Sequence, residues 1–342
     1  MAINKLILGD NLEILKTIED ETVDLIYLDP PFFSNRNYEV IWGDEGEVRS
    51  FQDRWSGGME HYISWLYERV EQMYRILKPT GSIFLHCDWH AQAYIQVGIL
   101  DKLFDNNNLR NIIIWKRADT VKNNFGQGKQ SLDYNTDTIF YYSKTNQYTF
   151  IQPFTEYEEK YLEQFYKYTE PNGKKYRLIS MIGPGGAAKG NPHYEFLGVT
   201  KYWRYSKEKM QELYEKGLIV QTKQGNVPQR KQYLEDGKGV AVQTLWDDVS
   251  ALSASSKESI GYPTQKPEAL LQRIIEMASN EGDTVLDPFV GGGTTVAMAE
   301  KLNRKWIGID QSVQAVKVTE MRLDKQRDLF SEFNCTNTIM IL

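Results

Sequence analysis

The hydrophobic pattern of the first 116 residues alternates between two periods. Short apolar runs that suit buried strands lie at 5–8, 23–28, 82–86 and 112–115. Between these runs, apolar residues recur every three or four positions, which predicts helices at 11–18, 61–77 and 89–104. Strands that alternate with helices at this spacing predict a parallel, doubly wound sheet of the α/β class.

One stretch of this first part lacks periodicity. From Ser34 to Gly58 the residues are polar and aromatic, with several glycines. This stretch predicts a long loop, and long loops in compact domains often have functional roles such as lids.

Periodicity weakens again at Arg117 and returns at Gly261. Beyond that point the pattern predicts helices at 268–278 and 294–302, and strands at 284–287 and 305–310. Pro267 is expected in the first turn of the earlier helix. We therefore expect one half of an α/β core at 1–116, an insert at 117–255 and the other half of the core at 256–342.

Charge is distributed unevenly between these parts. The net charge of −6 over 342 residues argues against a nucleic-acid partner. Residues 117–240, however, carry 19 Lys and Arg against 14 Asp and Glu, a net of +5, which leaves −11 for the remainder, and they hold 14 of the 21 tyrosines. Cations beside aromatic rings suit phosphates and bases. The insert is a candidate nucleic-acid surface, and a tyrosine-rich β-subdomain with solvated lysines is the alternative.

Composition indicates the class of protein and the compartment in which it is expected. A hydrophobic content of 41% is ordinary for a globular core. The sequence begins without a basic and apolar leader, and no apolar run approaches a membrane span, so we expect a cytoplasmic protein with no membrane partner. Cys87 and Cys335 lie far apart, so neither a zinc site nor a disulfide framework is expected, and no metal is predicted.

The segment Asp29-Pro30-Pro31-Phe32 has the chemistry of a site for a planar amine. It follows the predicted strand 23–28, and open α/β sheets bind ligands at the carboxyl ends of their strands. Proline has no N–H and a fixed φ, so the strand ends there while the carbonyls are held rigidly. A carboxylate and a carbonyl can accept two N–H bonds, and Phe32 can stack on a ring. A Pro-Pro turn with a solvated aspartate is the alternative.

The last part of the chain has the order strand, glycine turn, helix, strand, acid, which holds nucleoside cofactors in doubly wound folds. A dinucleotide fingerprint would need Gly or Ala where Val296 stands, and no Gly-Lys-Ser/Thr follows for a triphosphate. S-adenosylmethionine (AdoMet) fits a site without phosphate groups, with Asp287 near its amino-acid part and Asp310 on its ribose. A glycine turn that only packs a helix closely on a strand is the alternative.

Taken together, these motifs resemble the permuted, beta-class DNA amino-methyltransferases, which modify adenine N6 or cytosine N4. In that family an Asp-Pro-Pro-aromatic motif comes first and a target-recognition insert follows. The Thr-Gln-Lys-Pro segment (264–267) and the Asp-Pro-Phe-x-Gly-x-Gly-Thr loop (287–294) come last. The resemblance covers most of 5–325. It implies a circularly permuted, Rossmann-like AdoMet-dependent methyltransferase fold with a mostly parallel sheet and an inserted target-recognition region.

The resemblance also implies roles for single residues. The implied catalytic residues are Asp29, Pro30, Pro31 and Phe32. The implied cofactor-binding residues are Asp10, which would face the adenine amino group of AdoMet, Lys266, Asp287, Phe289, Gly291, Gly293, Thr294 and Asp310. Phe32 departs from the commoner Tyr, a change that keeps the ring and removes a hydroxyl.

The implied reaction is methyl transfer from AdoMet to the exocyclic N6 of a flipped adenine. Cytosine N4 is the runner-up, because the acceptor geometry suits both amines, although cytosine members more often carry Ser where this chain has Asp29. A DNA-binding module without turnover and an NAD-dependent oxidoreductase are further alternatives. The implied partners are double-stranded DNA and a cognate restriction endonuclease, and the enzyme would be a monomer or homodimer.

Overall fold

The computed structural model describes residues 4–33, 57–118, 132–253, 256, 258–262, 264–329 and 338–341. The predicted loop at 34–58 lies outside this part, apart from its last two residues. The chain forms two compact units, one of Met1–Pro153 with Gln243–Leu342 and the other of Phe154–Val242.

The strands, in chain order, are β1 (Asn4–Leu8), β2 (Val23–Leu28), β3 (Leu77–Cys87), β4 (Leu109–Lys116), β5 (Thr136–Ser143), β6 (Phe154–Thr155), β7 (Tyr168–Thr169), β8 (Lys175–Ser180), β9 (His193–Phe196), β10 (Val199–Tyr202), β11 (Ile219–Val220), β12 (Gln229–Tyr233), β13 (Val240–Ala241), β14 (Leu245–Trp246), β15 (Thr284–Asp287), β16 (Lys305–Asp310) and β17 (Thr338–Ile341).

The α-helices are α1 (Asn11–Thr17), α2 (Gly58–Ile76), α3 (Gln92–Ile95), α4 (Asp101–Phe104), α5 (Glu159–Phe165), α6 (Lys207–Glu215), α7 (Glu268–Ala278), α8 (Thr294–Lys301) and α9 (Val313–Leu329). A π-helical turn, Gln96–Leu100, joins α3 to α4. The predicted helix at 89–104 therefore begins three residues later and is not a regular α-helix throughout.

A nine-stranded sheet forms the centre of the first unit, in the order β14-β4-β5-β3-β2-β15-β16-β1-β17. Neighbouring strands run parallel, except that β5 is antiparallel to both β3 and β4. Central strands such as β2 are almost entirely apolar because both of their faces are covered. The sheet is thus mostly parallel, as the sequence predicts.

Helices cover both faces of this sheet. Ile309 of β16 packs in a core cluster with Leu66 and Met73 of α2. The adjacent Gly308 points the other way, and a Cβ there would lie 3.0 Å from Val296 of α8. Side chains of successive strand residues point to opposite faces, so α2 and α8 lie on opposite sides. The sheet is doubly wound.

The insert differs from its predicted bounds of 117–255. β5 lies inside that range but belongs to the main sheet, between β3 and β4, and β14 pairs with β4. Residues 138–142 of β5 form a buried run that fits only the interior of a sheet. The compact second unit is correspondingly shorter, Phe154–Val242. The main sheet also includes β17, from a terminal segment for which no structure is predicted.

The second unit has its own sheet and core. Its four-stranded sheet has the order β11-β12-β8-β7, accompanied by a β9–β10 hairpin and a β6–β13 pair. Its core contains Met181, Phe196, Trp203, Met210 and Leu213. In the part of the chain that the structure describes, no helix has the length and apolar content needed to cross a membrane.

Candidate active site

Four acids meet at one edge of the main sheet. Asp287 and Asp310 are the last residues of β15 and β16, Asp29 follows β2, and Asp10 lies two residues after β1. These four strands are neighbours in the order β2-β15-β16-β1 and run parallel, so their carboxyl ends share an edge. The fold thus brings together both motifs that the sequence identifies.

The two carboxylate oxygens of Asp29 differ in their hydrogen-bond partners. Oδ2 accepts a hydrogen bond from the Lys266 ammonium, across 237 residues of sequence. Oδ1 is shielded from solvent, and none of the described residues donates a hydrogen bond to it. A buried carboxylate oxygen without a donor is costly. Oδ1 is therefore an acceptor that a ligand N–H would satisfy.

Phe32 lies between the Lys266 ammonium and His86. Its ring centroid is 5.5 Å from Lys266 Nζ and 5.9 Å from the centroid of the His86 ring. The next residue, Phe33, packs against the buried Tyr62. Phe33 therefore anchors the segment after the two prolines, while Phe32 remains beside Asp29 and half-buried. Pro30 is buried and Pro31 half-buried in the same turn.

Lys266 is held by Thr294, the first residue of α8. Its backbone carbonyl accepts a hydrogen bond from Thr294 Oγ1 at 3.1 Å, and Arg322 in turn donates to that hydroxyl at 3.1 Å. Pro267 occupies the N-cap position immediately before α7, so the prediction that it lies in the first turn of this helix is off by one residue. Thr294 thus connects the Lys266 segment to the glycine loop, and Lys266 contacts Asp29. Its predicted cofactor contact stays a prediction.

The glycine loop is shaped by two residues in the left-handed region. Gly291 has φ +49° and Gly293 has φ +74°. A Cβ on Gly293 would lie 2.7 Å from Thr319, and one on Gly291 would lie 3.2 Å from the ring of Tyr262. Any other residue would be strained at both positions, and at position 293 it would also clash with Thr319. The turn therefore requires glycine at both positions, and a glycine turn between a strand and a helix is what a nucleoside site in this kind of fold uses.

Asp310 positions this loop. Its Oδ2 accepts the Gly291 N–H at 2.9 Å, and its Oδ1 accepts the Ser312 N–H at 2.9 Å. A carboxylate has about four acceptor positions. The geometry fits the predicted contact to ribose hydroxyls, with the two backbone bonds fixing the carboxylate in place.

Asp287 is the most deeply buried of the four acids. Its Oδ1 accepts the Phe289 N–H at 3.0 Å. Burial raises the pKa of Asp287 to about 7, and the negative charges of Asp29 and Asp310 add to the increase. Repulsion among these carboxylates favours a cationic ligand between them. The Phe289 ring itself packs against Trp65, with centroids 5.8 Å apart.

Asp10 caps α1 and pairs with an arginine from α2. Its Oδ1 accepts the Leu12 N–H at 2.8 Å and Arg69 Nη2 at 3.0 Å. Arg69 Nε also donates to Asn11 Oδ1 at 2.7 Å, and Asn11 Nδ2 donates to the Pro288 carbonyl at 2.8 Å. Asp10 therefore has a structural role at this edge, and its predicted contact with adenine stays a prediction.

Two buried residues at this edge are not among the predicted site residues. Arg69 occupies the apolar stripe of α2, between Leu66 and Met73, where a buried charged residue is the signal of an ion pair. His86 lies in an apolar strand and contacts the Tyr27 hydroxyl at 2.9 Å and Asp137 Oδ2 at 3.1 Å. A polar residue that interrupts an otherwise apolar pattern is the sequence signal that could have identified both Arg69 and His86.

Known proteins with similar sequences and folds identify the family of this chain. The sequence model of the N6/N4 methyltransferase family, described as DNA methylase, matches residues 23–321 of this chain. The chain belongs to the N6/N4 DNA methylase family. This membership confirms the predicted family and AdoMet as the cofactor of that family, and leaves the choice between adenine and cytosine open.

Three curated relatives illustrate the range of the family. Type II methyltransferase M.EcaI from Enterobacter cloacae is 31% identical over 93% of this chain and 69% of its own length. The Mod subunit of type III restriction-modification enzyme StyLTI from Salmonella typhimurium is 27% identical, covering 88% of this chain and 50% of the subunit. DNA adenine methyltransferase YhdJ from Escherichia coli is 28% identical over 92% of this chain and 81% of its own. The chain therefore spans only about half the length of some relatives.

Two solved structures share the fold. A DNA modification methylase from Thermus thermophilus, TTHA0409, complexed with S-adenosyl-L-methionine, has a TM-score of 0.51 at 16% identity, covering 99% of this chain and 98% of its own. PvuII DNA methyltransferase, which is cytosine-N4-specific, has a TM-score of 0.51 at 16% identity, covering 99% and 95%. The likeness confirms the α/β methyltransferase fold.

Proposed function

We propose that this protein transfers a methyl group from AdoMet to the exocyclic N6 of an adenine flipped out of duplex DNA. The observation that carries the proposal is the buried Oδ1 of Asp29, which lacks a hydrogen-bond donor among the described residues and lies beside the Phe32 ring, one strand away from Asp287. An acceptor beside a stacking ring suits an aromatic amine.

The residues at the edge of the sheet fit AdoMet. Asp287 and Asp310 are acids in a cluster that favours a cation, and the glycine loop lies beside them, with the Gly291 N–H bonded to Asp310. Asp310 would hold the ribose hydroxyls and Asp287 the amino-acid part. When bound, AdoMet supplies a methyl group on a cationic sulfonium.

Asp29 and Pro30 would act on the target amine. The lone pair of an aromatic amine is delocalised into the ring, so the nitrogen is a poor nucleophile. If Asp29 Oδ1 and the Pro30 carbonyl accept its two N–H bonds, the nitrogen is held in the pyramidal geometry that frees the lone pair. The carboxylate also stabilises positive charge that develops there. Lys266, by donating to Oδ2, holds the carboxylate with Oδ1 available.

Phe32 would hold the flipped base. Flipping costs a few kcal/mol, and stacking on an aromatic side chain returns roughly 1 to 3 kcal/mol per base. His86 and Lys266 lie next to the Phe32 ring and restrict its movement, so the side chain would lose little freedom when the base binds.

Adenine is favoured over cytosine by two observations. Asp at position 29 is typical of the adenine members that the sequence resembles, whereas cytosine members more often have Ser. The relative YhdJ is named a DNA adenine methyltransferase.

The restriction-modification role rests on the relatives alone. They include a type II methyltransferase and a type III Mod subunit. We infer that this chain protects its recognition sequence from a cognate endonuclease, and that the second unit reads that sequence.

One experiment tests the reaction. The protein is incubated with AdoMet and mixed-sequence duplex DNA, the DNA is digested to nucleosides, and the products are identified by mass spectrometry, with Asp29→Ala as the matched control. N6-methyladenine from the wild type alone supports the proposal. N4-methylcytosine changes the target base and keeps the mechanism. Wild-type protein that binds AdoMet but methylates no DNA contradicts the proposal.

A further inference from the structure

A group of stacked rings lies beside the proposed active site and is not used by it. Trp89 stacks on His90 with a centroid distance of 3.8 Å and on Tyr134 with a centroid distance of 4.4 Å and an interplanar angle of 12°. The three residues Trp89, His90 and Tyr134 form an aromatic stack with Trp89 as the shared member. Trp89 is 45% exposed and Tyr134 is 53% exposed. Large aromatic rings left exposed together indicate a binding surface.

The stack lies at the same edge of the sheet as Asp29. β3 runs parallel beside β2, with Leu85 opposite Leu28, so the residues after both strands meet at this edge. His86 contacts the Phe32 ring at 5.9 Å, and Trp89 follows three residues later. Three residues span at most about 11 Å. The exposed rings are therefore within the footprint of a duplex whose base reaches Phe32.

Hydrogen bonds hold the His90 ring and the backbone that carries Tyr134. His90 Nδ1 lies 2.7 Å from Asp88 Oδ2, which fixes the imidazole against Trp89. The backbone carbonyl of Tyr134 accepts a hydrogen bond from Arg117 Nη2 at 3.3 Å, and the neighbouring Asn135 carbonyl accepts the Arg117 N–H at 2.9 Å. Rings that are held before binding lose little conformational freedom when a ligand stacks on them.

The charge at this site also suits DNA. Arg117 follows β4 at the same edge and keeps 40% of its side chain exposed. Its guanidinium lies 3.1 Å from Asp137, which orients it. A partly exposed arginine beside stacked aromatic rings is the combination by which proteins hold a nucleic-acid strand, with the cation near the phosphate and the rings against bases.

We propose that the Trp89–Tyr134 stack binds a base exposed in the target duplex when the neighbouring nucleotide is flipped out. This inference rests on the proposed function. Flipping one nucleotide leaves its neighbours with an unstacked face, and an aromatic ring can cover that face. The stack would thereby stabilise the flipped state, separately from Phe32, which holds the flipped base itself.

The test compares Trp89→Ala and Trp89→Phe with the wild type. The DNA is a duplex containing the sequence that the wild type methylates, with 2-aminopurine at the target position as the flipping reporter. Phe150→Ala is the matched control, because Phe150 is 46% exposed in the same unit but follows the carboxyl end of the antiparallel β5, at the opposite edge. AdoMet affinity and thermal stability are measured for all variants.

Trp89→Ala should weaken duplex binding by about 5- to 150-fold and lower the 2-aminopurine signal, because His90 and Tyr134 cover the two faces of Trp89, and without this central ring the outer ring that stacks on the base loses its support. Trp89→Phe and Phe150→Ala should stay close to the wild type. A mismatch at the target should restore the flipping signal of Trp89→Ala, since an unpaired base flips more easily. A merely structural defect would instead change AdoMet affinity or persist with the mismatch.

Two results would overturn the inference, and only the second would also overturn the proposed function. If the wild type methylates DNA and Trp89→Ala binds and flips it equally well, the stack has no such role and the proposed function stands. If the wild type methylates no DNA, the proposed function fails, and the role of the stack at a flipped base fails with it.

Discussion

The Lys266 ammonium donates to Asp29 Oδ2, although the two residues are 237 positions apart, and it leaves Oδ1 of the same carboxylate without a donor among the described residues. The pair joins the two halves of the methyltransferase core at the point where the reaction is proposed to occur. It also assigns the two oxygens different tasks, one for orientation and one for the substrate.

Asp29→Ala should remove chemistry and spare cofactor binding. Loss of one preorganised electrostatic interaction lowers a rate by about 10²- to 10³-fold, and Asp29 opposes a full developing charge. We expect at least this decrease in the single-turnover methylation rate, with AdoMet affinity within a few-fold of the wild type by calorimetry. A variant that keeps more than about a tenth of the rate would exclude the assigned role.

Phe32→Ala should weaken capture of the target base as well as turnover. The substitution removes the stacking ring, worth roughly 1 to 3 kcal/mol per base. Duplex affinity and the 2-aminopurine flipping signal should both fall. Phe32→Tyr, which keeps the ring, is the control and should behave like the wild type. Equal flipping by the Ala variant would show that Phe32 does not hold the base.

AdoMet affinity should increase with pH through the titration of Asp287. Burial raises the pKa of this carboxyl to about 7, and only the ionised form pairs with the ammonium of AdoMet. The dissociation constant should therefore fall between about pH 6 and pH 8. Asp287→Asn should bind AdoMet more weakly at the upper end of this range and show little dependence on pH within it. The same dependence in both proteins would assign it to another group.

Stability without ligand should change in the opposite direction. Because the pKa of Asp287 is raised in the folded state, the folded protein binds a proton that the unfolded chain has already released between about pH 4 and pH 7. The contribution of this group to the free energy of unfolding should fall as pH rises through that window. Urea denaturation of the wild type and Asp287→Asn at several pH values would measure the difference.

Asp310→Ala should weaken AdoMet binding by about 1.5 to 3 kcal/mol, the cost of losing a hydrogen bond to a charged acceptor. The substitution also removes the acceptor for the Gly291 N–H. Asp310→Asn keeps one carbonyl oxygen for that bond and separates the two effects. Calorimetry that shows unchanged affinity in a folded Asp310→Ala protein would remove the residue from the site.

The second unit should contribute a salt-dependent part of DNA affinity. Lys175 and Lys201 are exposed strand residues without an acidic partner among the described residues, whereas Lys174 pairs with Glu235. Reversing both charges should reduce the slope of log affinity against log salt by about 2, because each lysine would no longer neutralise a phosphate. The control reverses Lys209 and Lys216, which both pair with Glu212 on α6. Unchanged affinity and slope would place the DNA elsewhere.

Much of the core follows from the sequence because its signals are local. Strands β2, β15 and β16 coincide with their predicted bounds, since each is a short apolar run ended by an acid or proline. The order of the Asp-Pro-Pro-Phe segment and the glycine loop is sufficient to predict the family and its cofactor. Periodicity, turn residues and motif order need no knowledge of distant contacts.

Only the tertiary structure decided which residues meet. The pairing of Lys266 with Asp29, the Arg69 ion pair with Asp10, and the place of β5 inside the main sheet all join segments that are distant in the chain. Such contacts depend on the order of the strands in the sheet, which local patterns do not encode. The buried Oδ1 of Asp29, without a donor in the part of the chain that the structure describes, and the exposed Trp89–Tyr134 stack arise in the same way, since burial is a property of the assembled sheet edge and not of any one segment.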